Sequence, residues 1–105
     1  MRTTVVNVKY EPCDVYIGRS WGRFSASKWG NPYRIGLDGT REEVIKLYAG
    51  WLVSKLKGDP TLLEELRGMY GKRLGCWCAP LPCHGDYLAS LINVLGSGPP
   101  DVVQI

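Results

Sequence analysis

Three cysteines and a histidine near the C-terminal end hold most of the chemical potential of this chain. They lie in the run Cys76-Trp77-Cys78-Ala79-Pro80-Leu81-Pro82-Cys83-His84, with the spacing C-x-C-x4-C-H. Three thiolates and one imidazole are a legitimate tetrahedral set for zinc. Cys76 and Cys78 are two residues apart, so on a strand they point to one face. A turn through Pro80 and Pro82 would bring Cys83 and His84 back towards them. Two features weigh against this metal reading. Cys83 and His84 are neighbours, whose side chains diverge unless the backbone turns sharply, and the spacing departs from the usual two-residue zinc knuckle. Cys13 is the other candidate for a fourth ligand.

A second reading is a reactive thiol. Cys83 and His84 precede a helix, whose dipole and free N–H groups favour an anion and lower a thiol's pKa. Cys83 would then be the nucleophile and His84 its base or a substrate contact, with Asp86 orienting His84 or acting as a base itself. The third reading is structural. Free cysteine is among the most buried residue types, so Cys76 and Cys78 would face the core and His84 would cap a helix. A Cys76–Cys78 disulfide is disfavoured because strand geometry separates the two sulfurs.

A second polar segment lies earlier in the chain. Residues 18–39 contain five glycines, two tryptophans and several cations. Gly18 lets the backbone approach a ligand closely, and Arg19 offers a planar fork for phosphate or carboxylate. Lys28, Trp29, Gly30 and Asn31 continue the theme, since cations interleaved with aromatics can hold phosphates and stack bases. Neither the Walker spacing nor the dinucleotide fingerprint is present. The competing reading is a tightly folded loop pinned to the core by its tryptophans, with Asn31-Pro32 as a plain turn signal.

The elements that must position these segments follow from hydrophobic period and breakers. Residues 3–10 and 14–17 read as strands rich in β-branched residues. Thr40 is a helix N-cap, and Glu43 completes a capping box. Val44, Tyr48, Trp51 and Leu52 recur at helical spacing, widened by Leu47 and Leu56, and Gly58-Asp59-Pro60 ends the helix. Residues 61–70 read as a shorter helix. Residues 73–78 read as a buried strand with Leu74 and Trp77 as its best apolar positions, and Pro80 and Pro82 bar its continuation. A third helix is expected over about residues 85–95.

The order β, β, α, α, β, α favours a crossover with parallel pairing. The expected class is α/β: a single small domain over 1–96, three-layer-like, with a sheet of about three to four partly parallel strands and three helices. Residues 97–105 are read as a C-terminal tail or short edge strand. If strands 14–17 and 73–78 run parallel, their C-terminal ends share one sheet edge, where ligands of open α/β sheets bind. The glycine-rich loop and the cysteine run would then form two halves of one site.

Composition sets the limits. At 105 residues the chain holds one domain, and 45% apolar with 22% charged residues is ordinary for a globular protein. A net charge of +3 is too mild to require nucleic acid, but suits phosphate-bearing ligands if clustered. No apolar run approaches the length of a membrane span, and the N-terminus lacks a signal-peptide core, so the cytoplasm is the default compartment. There, four cysteines read as ligands, reactive thiols or core residues before disulfides.

Taken together, Val15-Tyr16-Ile17-Gly18-Arg19, Trp29-Gly30-Asn31-Pro32-Tyr33, Leu74-Gly75-Cys76-Trp77-Cys78-Ala79-Pro80 and Cys83-His84-Gly85-Asp86 resemble the family called domain of unknown function 4326. The resemblance spans about residues 5–95. It implies a small protein of prokaryotes or their viruses and an archaeal or viral source, and it brings no activity with it. It implies that Gly18, Arg19, Trp29, Gly30, Asn31, Cys76, Cys78, Cys83, His84 and Asp86 belong together. The functional expectation is a domain that binds or acts on a nucleotide or nucleic-acid component. Gly18, Arg19, Lys28, Trp29, Gly30 and Asn31 would hold the anionic part, beside a centre of Cys76, Cys78, Cys83 and His84 with Asp86. Zinc is the cofactor this donor set suits. The alternative is a structural zinc module that binds a partner and catalyses nothing. Exposed aromatics would fit a subunit interface equally well, which leaves a homodimer open.

Overall fold

Residues 2–97 are described by the structure, a computed structural model. The elements are β1 (Thr4–Asn7), β2 (Val15–Tyr16), α1 (Arg41–Gly58), α2 (Pro60–Arg67), β3 (Arg73–Cys76) and α3 (His84–Ser97). The α/β class, the element order and the three helices agree with the sequence reading. Of the expected tail 97–105, Ser97 closes α3 and the rest lies outside the described residues.

The sheet has three strands in the order β1-β3-β2, and both pairings are parallel. Val5 and Val15 flank Leu74, while Val6 and Tyr16 flank Gly75. Side chains alternate along a strand, so Leu74 and Cys76 share one face and Gly75 takes the other. Leu74 and Cys76 are buried in the main core with Ile17, Leu88 and Ile92. α3 packs on β1 and β3, and α1 and α2 pack on α3 and on each other.

The opposite face is covered by chain rather than by a helix. The 8–14 connection leaves the C-terminal end of β1 and must reach the N-terminal end of β2, with β3 lying between them. It passes over Gly75: a Cβ there would lie 2.4 Å from Cys13 Sγ and 2.6 Å from Val8 Cγ1. The connection is then fastened to β3, where Asp14 N–H donates to Arg73 O and Arg73 N–H donates to Asp14 Oδ2.

The helices follow their local signals. Thr40 and Glu43 make the full capping box of α1, and Val44, Tyr48, Leu52 and Leu56 form its buried seam. Leu47, expected in the apolar stripe, is instead exposed. Asp59 ends α1 and caps α2, with Pro60 at the first helical position. α2 stops at Arg67 rather than Tyr70, because Gly68 is its C-cap and the chain turns towards β3.

β3 also ends early, at Cys76 rather than Cys78. Asn7 Nδ2 donates to Trp77 O and Ala79 O, and Leu81 N–H closes a turn onto Cys78 O. These bonds draw the backbone out of the ladder after Cys76. Trp77, expected to be buried, is therefore 40% exposed. No helix among the described residues is long and apolar enough to cross a membrane.

Candidate functional site at the C-terminal edge of the sheet

Parallel pairing sends the residues after β2 and β3 to one edge, and a cavity of about 840 Å³ opens there. Gly18 and Arg19 enter from the end of β2, and Cys76, Trp77 and Cys78 from the end of β3. Cys83 and His84 join them from the start of α3. The two segments singled out in the sequence thus line one cavity. The volume suits a small ligand.

The thiols form the innermost part. Cys76 and Cys83 are 2% and 4% exposed, and their sulfurs lie 3.5 Å apart. Cys83 is the N-cap of α3, and its Sγ accepts the Gly85 N–H at 3.3 Å. Cys78 is half-buried and lines the same cavity. Interaction with the Cys76 and Cys83 thiols, and then with the Arg41 guanidinium, holds the Cys78 thiol below its usual value. The same network pushes Cys83 and Cys76 upward.

His84 does not join the thiols. Its Nε2 lies 2.8 Å from Ile17 O, and the backbone oxygen makes Nε2 the protonated nitrogen. Its ring stands edge-on to Tyr48 at 5.0 Å, and burial pushes its pKa down. The expected four-ligand set of Cys76, Cys78, Cys83 and His84 is not assembled. Among the described residues no group of three or more His, Cys, Asp or Glu is arranged to hold a metal ion. Cys13 is no replacement ligand, since it lies under Gly75 on the other face of β3. Asp86 is turned away from the imidazole and accepts the Cys83 N–H at 2.9 Å, completing the α3 cap.

The loop residues divide. Gly18, Arg19 and Asn31 line the cavity. Arg19 Nη2 donates to Asn31 O and Tyr33 O, which ties the two ends of the loop together. Asn31 is buried, with Nδ2 donating to Val44 O and Oδ1 accepting the Tyr33 N–H. Trp29 is core, and Tyr48 OH donates to its carbonyl at 2.7 Å. Lys28 pairs with Glu65, and Lys28 and Gly30 border a shallower depression beside the cavity.

Several lining residues escaped the sequence reading. Arg41 opens α1 and donates to Pro82 O at 2.8 Å, so it reaches across to the cysteine loop. Lys9 and Arg34 also line the cavity, which among the described residues has four Lys or Arg side chains with Arg19 and Arg41, and no Asp or Glu. Trp21 and Trp77 meet edge to face with centroids 6.0 Å apart, Trp21 being 66% exposed. Behind them Tyr16 stacks on Phe24 at 4.4 Å and accepts the Trp77 indole N–H. The signal for these residues was there, as cations and aromatics repeated through the flanking segments. Their convergence depends on the crossing of loop and helix, which no local pattern encodes.

The chain resembles known proteins over most of its length. The chain is 39% identical over 92 residues to the "Uncharacterized 12.4 kDa protein in nrdA-td intergenic region" of Enterobacteria phage T4, covering 87% of this chain and 78% of that protein. It is 32% identical over 96 residues to "Uncharacterized protein R718" of Acanthamoeba polyphaga mimivirus, covering 79% of this chain and 69% of that one. No solved structure matches the chain. The model of the domain of unknown function DUF4326 matches residues 2–94, and the chain belongs to that family.

Proposed function

We propose that the cavity binds a nucleotide or a nucleic-acid component, with its phosphate among the cations and its base against the indoles. The observation that supports this reading is the lining itself: Lys9, Arg19, Arg34 and Arg41 with no carboxylate among the described residues, beside the exposed rings of Trp21 and Trp77. Such a site concentrates anions, and an exposed aromatic face adds roughly 1–3 kcal/mol per stacked base. Gly18 favours close approach: a Cβ there would lie 2.5 Å from Tyr16 Oη, so no side chain fits between ring and loop.

Titration with nucleoside 5′-phosphates, the matching nucleosides and a short single-stranded oligonucleotide tests the reading through tryptophan fluorescence. A phosphorylated ligand is expected to bind at least about tenfold more tightly than its nucleoside, with affinity falling as salt rises. Arg34→Ala and Trp21→Ala are each expected to weaken binding. Equal affinity for nucleoside and nucleotide, or no binding of either, would overturn it.

A further inference from the structure

We propose that Cys78, Cys83 and Cys76 form a thiol–disulfide exchange centre in the cavity, acting on a small anionic disulfide. This inference does not rest on the nucleotide reading. It starts from three cysteines lining one cavity, with the Cys76 and Cys83 sulfurs 3.5 Å apart. Cys76 and Cys83 are core residues, 2% and 4% exposed, whereas Cys78 packs at the edge of the core and is half-buried on the cavity wall. The arrangement is graded: one thiol that an incoming molecule can reach, and two behind it that it cannot. That is what attack followed by internal resolution requires, since a mixed disulfide forms on the accessible sulfur and is displaced by a neighbouring one.

The chemistry balances within the centre. Cys78 Sγ attacks one sulfur of the substrate. The new S–S bond forms, the substrate's own S–S bond breaks, and its other half leaves as a thiolate and takes a proton. Cys83 Sγ then attacks Cys78 Sγ, and its proton passes to the departing half of the substrate. The internal Cys78–Cys83 disulfide forms, and the second half of the substrate departs as a thiol. Two protein thiols lose two electrons and two protons, and the disulfide gains them. The Gly85 N–H at the start of α3 points at Cys83 Sγ and partly offsets the neighbouring thiols that push its pKa up. Neither step needs an external general base, consistent with His84 and Asp86 being held elsewhere. The four lining cations select an anionic substrate over a neutral one.

The test treats the reduced protein with oxidised glutathione at neutral pH and follows intact mass and peptide maps. Wild type is expected to gain one internal disulfide that includes Cys83 and to retain no glutathione. Cys83→Ala is expected to stop at a glutathione adduct on Cys78. Cys78→Ser is expected to react at least about tenfold more slowly, and Cys13→Ala at the wild-type rate. The neutral bis(2-hydroxyethyl) disulfide is expected to react more slowly than oxidised glutathione. The proposal is overturned if wild type is inert, if it keeps glutathione on Cys78, if Cys78→Ser reacts as fast as wild type, or if the neutral disulfide reacts equally fast. The wild-type arm decides alone should a variant not fold. Failure here leaves nucleotide binding untouched, because that is read by fluorescence on the reduced protein.

Discussion

Asp86 Oδ2 accepts the Cys83 N–H at 2.9 Å while Cys83 Sγ accepts the Gly85 N–H at 3.3 Å. The two bonds cap the start of α3 with cysteine and aspartate, the carboxylate making the return half of a capping box while the thiol takes the second N–H of the helix instead of the third. Type and spacing made Asp86 a candidate partner for His84, but the start of α3 uses its carboxylate for the backbone. Asp86→Ala is accordingly expected to cost about 1 kcal/mol in urea denaturation, as caps generally do, and to leave ligand affinity within about twofold of wild type. A tenfold loss of affinity at unchanged stability would return Asp86 to the site. The three cysteines, by contrast, were legible as a cluster from spacing alone. The sequence did not show which of them is exposed, because that depends on where β3 stops. It stops at Cys76 through the hold of Asn7 on Trp77 O and Ala79 O, some seventy residues away in sequence.

At the scale of elements, capping residues and hydrophobic period carried most of the information. Thr40, Glu43, Asp59 and Pro60 mark helix boundaries through bonds formed within a few residues, so a local reading finds them. The crossover between β1 and β2 is of another kind. Nothing within residues 8–14 says that the chain will run across a sheet that β3 completes much later. Gly75 is the trace of that event: with Cys13 Sγ 2.4 Å and Val8 Cγ1 2.6 Å from a built Cβ, two side chains occupy the space any larger residue would need. Gly75→Ala is therefore expected to destabilise the protein by about 1–3 kcal/mol, the usual range for overpacking. Adding Cys13→Gly should recover part of that loss, with Val8 accounting for the rest. A double-mutant cycle in denaturant measures the coupling, and strict additivity would show that the connection does not pack on Gly75 as described.

For the molecule as a whole, the meeting of two distant polar segments at one edge was legible because parallel pairing follows from element order. The contribution of Arg41 was not, since a helix's first residue reaches another loop only once α1 has been packed. His84 joins these parts physically. Its Nε2 donates to Ile17 O at 2.8 Å, tying the start of α3 to the end of β2. Its ring edge meets Tyr48 of α1, whose hydroxyl bonds Trp29 O in the glycine-rich loop. Burial depresses its pKa below the ordinary 6.5, so the folded protein holds the ring neutral where the unfolded chain would protonate it. The unfolded state binds more protons in that window, and stability must rise with pH through it and fall as pH drops below about 6.5. Asp14 and Glu43 are also depressed, but they lose their contribution only around and below the ordinary values of 3.8 and 4.5. The depressed Cys78 thiol gives a slope of the same sign across this window, so the histidine's share is the difference between wild type and a His84 variant in midpoints at about pH 7.5 and about pH 5.5. Wild type is expected to be clearly less stable at the lower pH. His84→Gln, which can still donate to Ile17 O, should start lower and drop less than wild type between the two. An equal drop in both proteins would place the pH sensitivity elsewhere and break the link drawn here between the buried imidazole and the closure of the sheet edge.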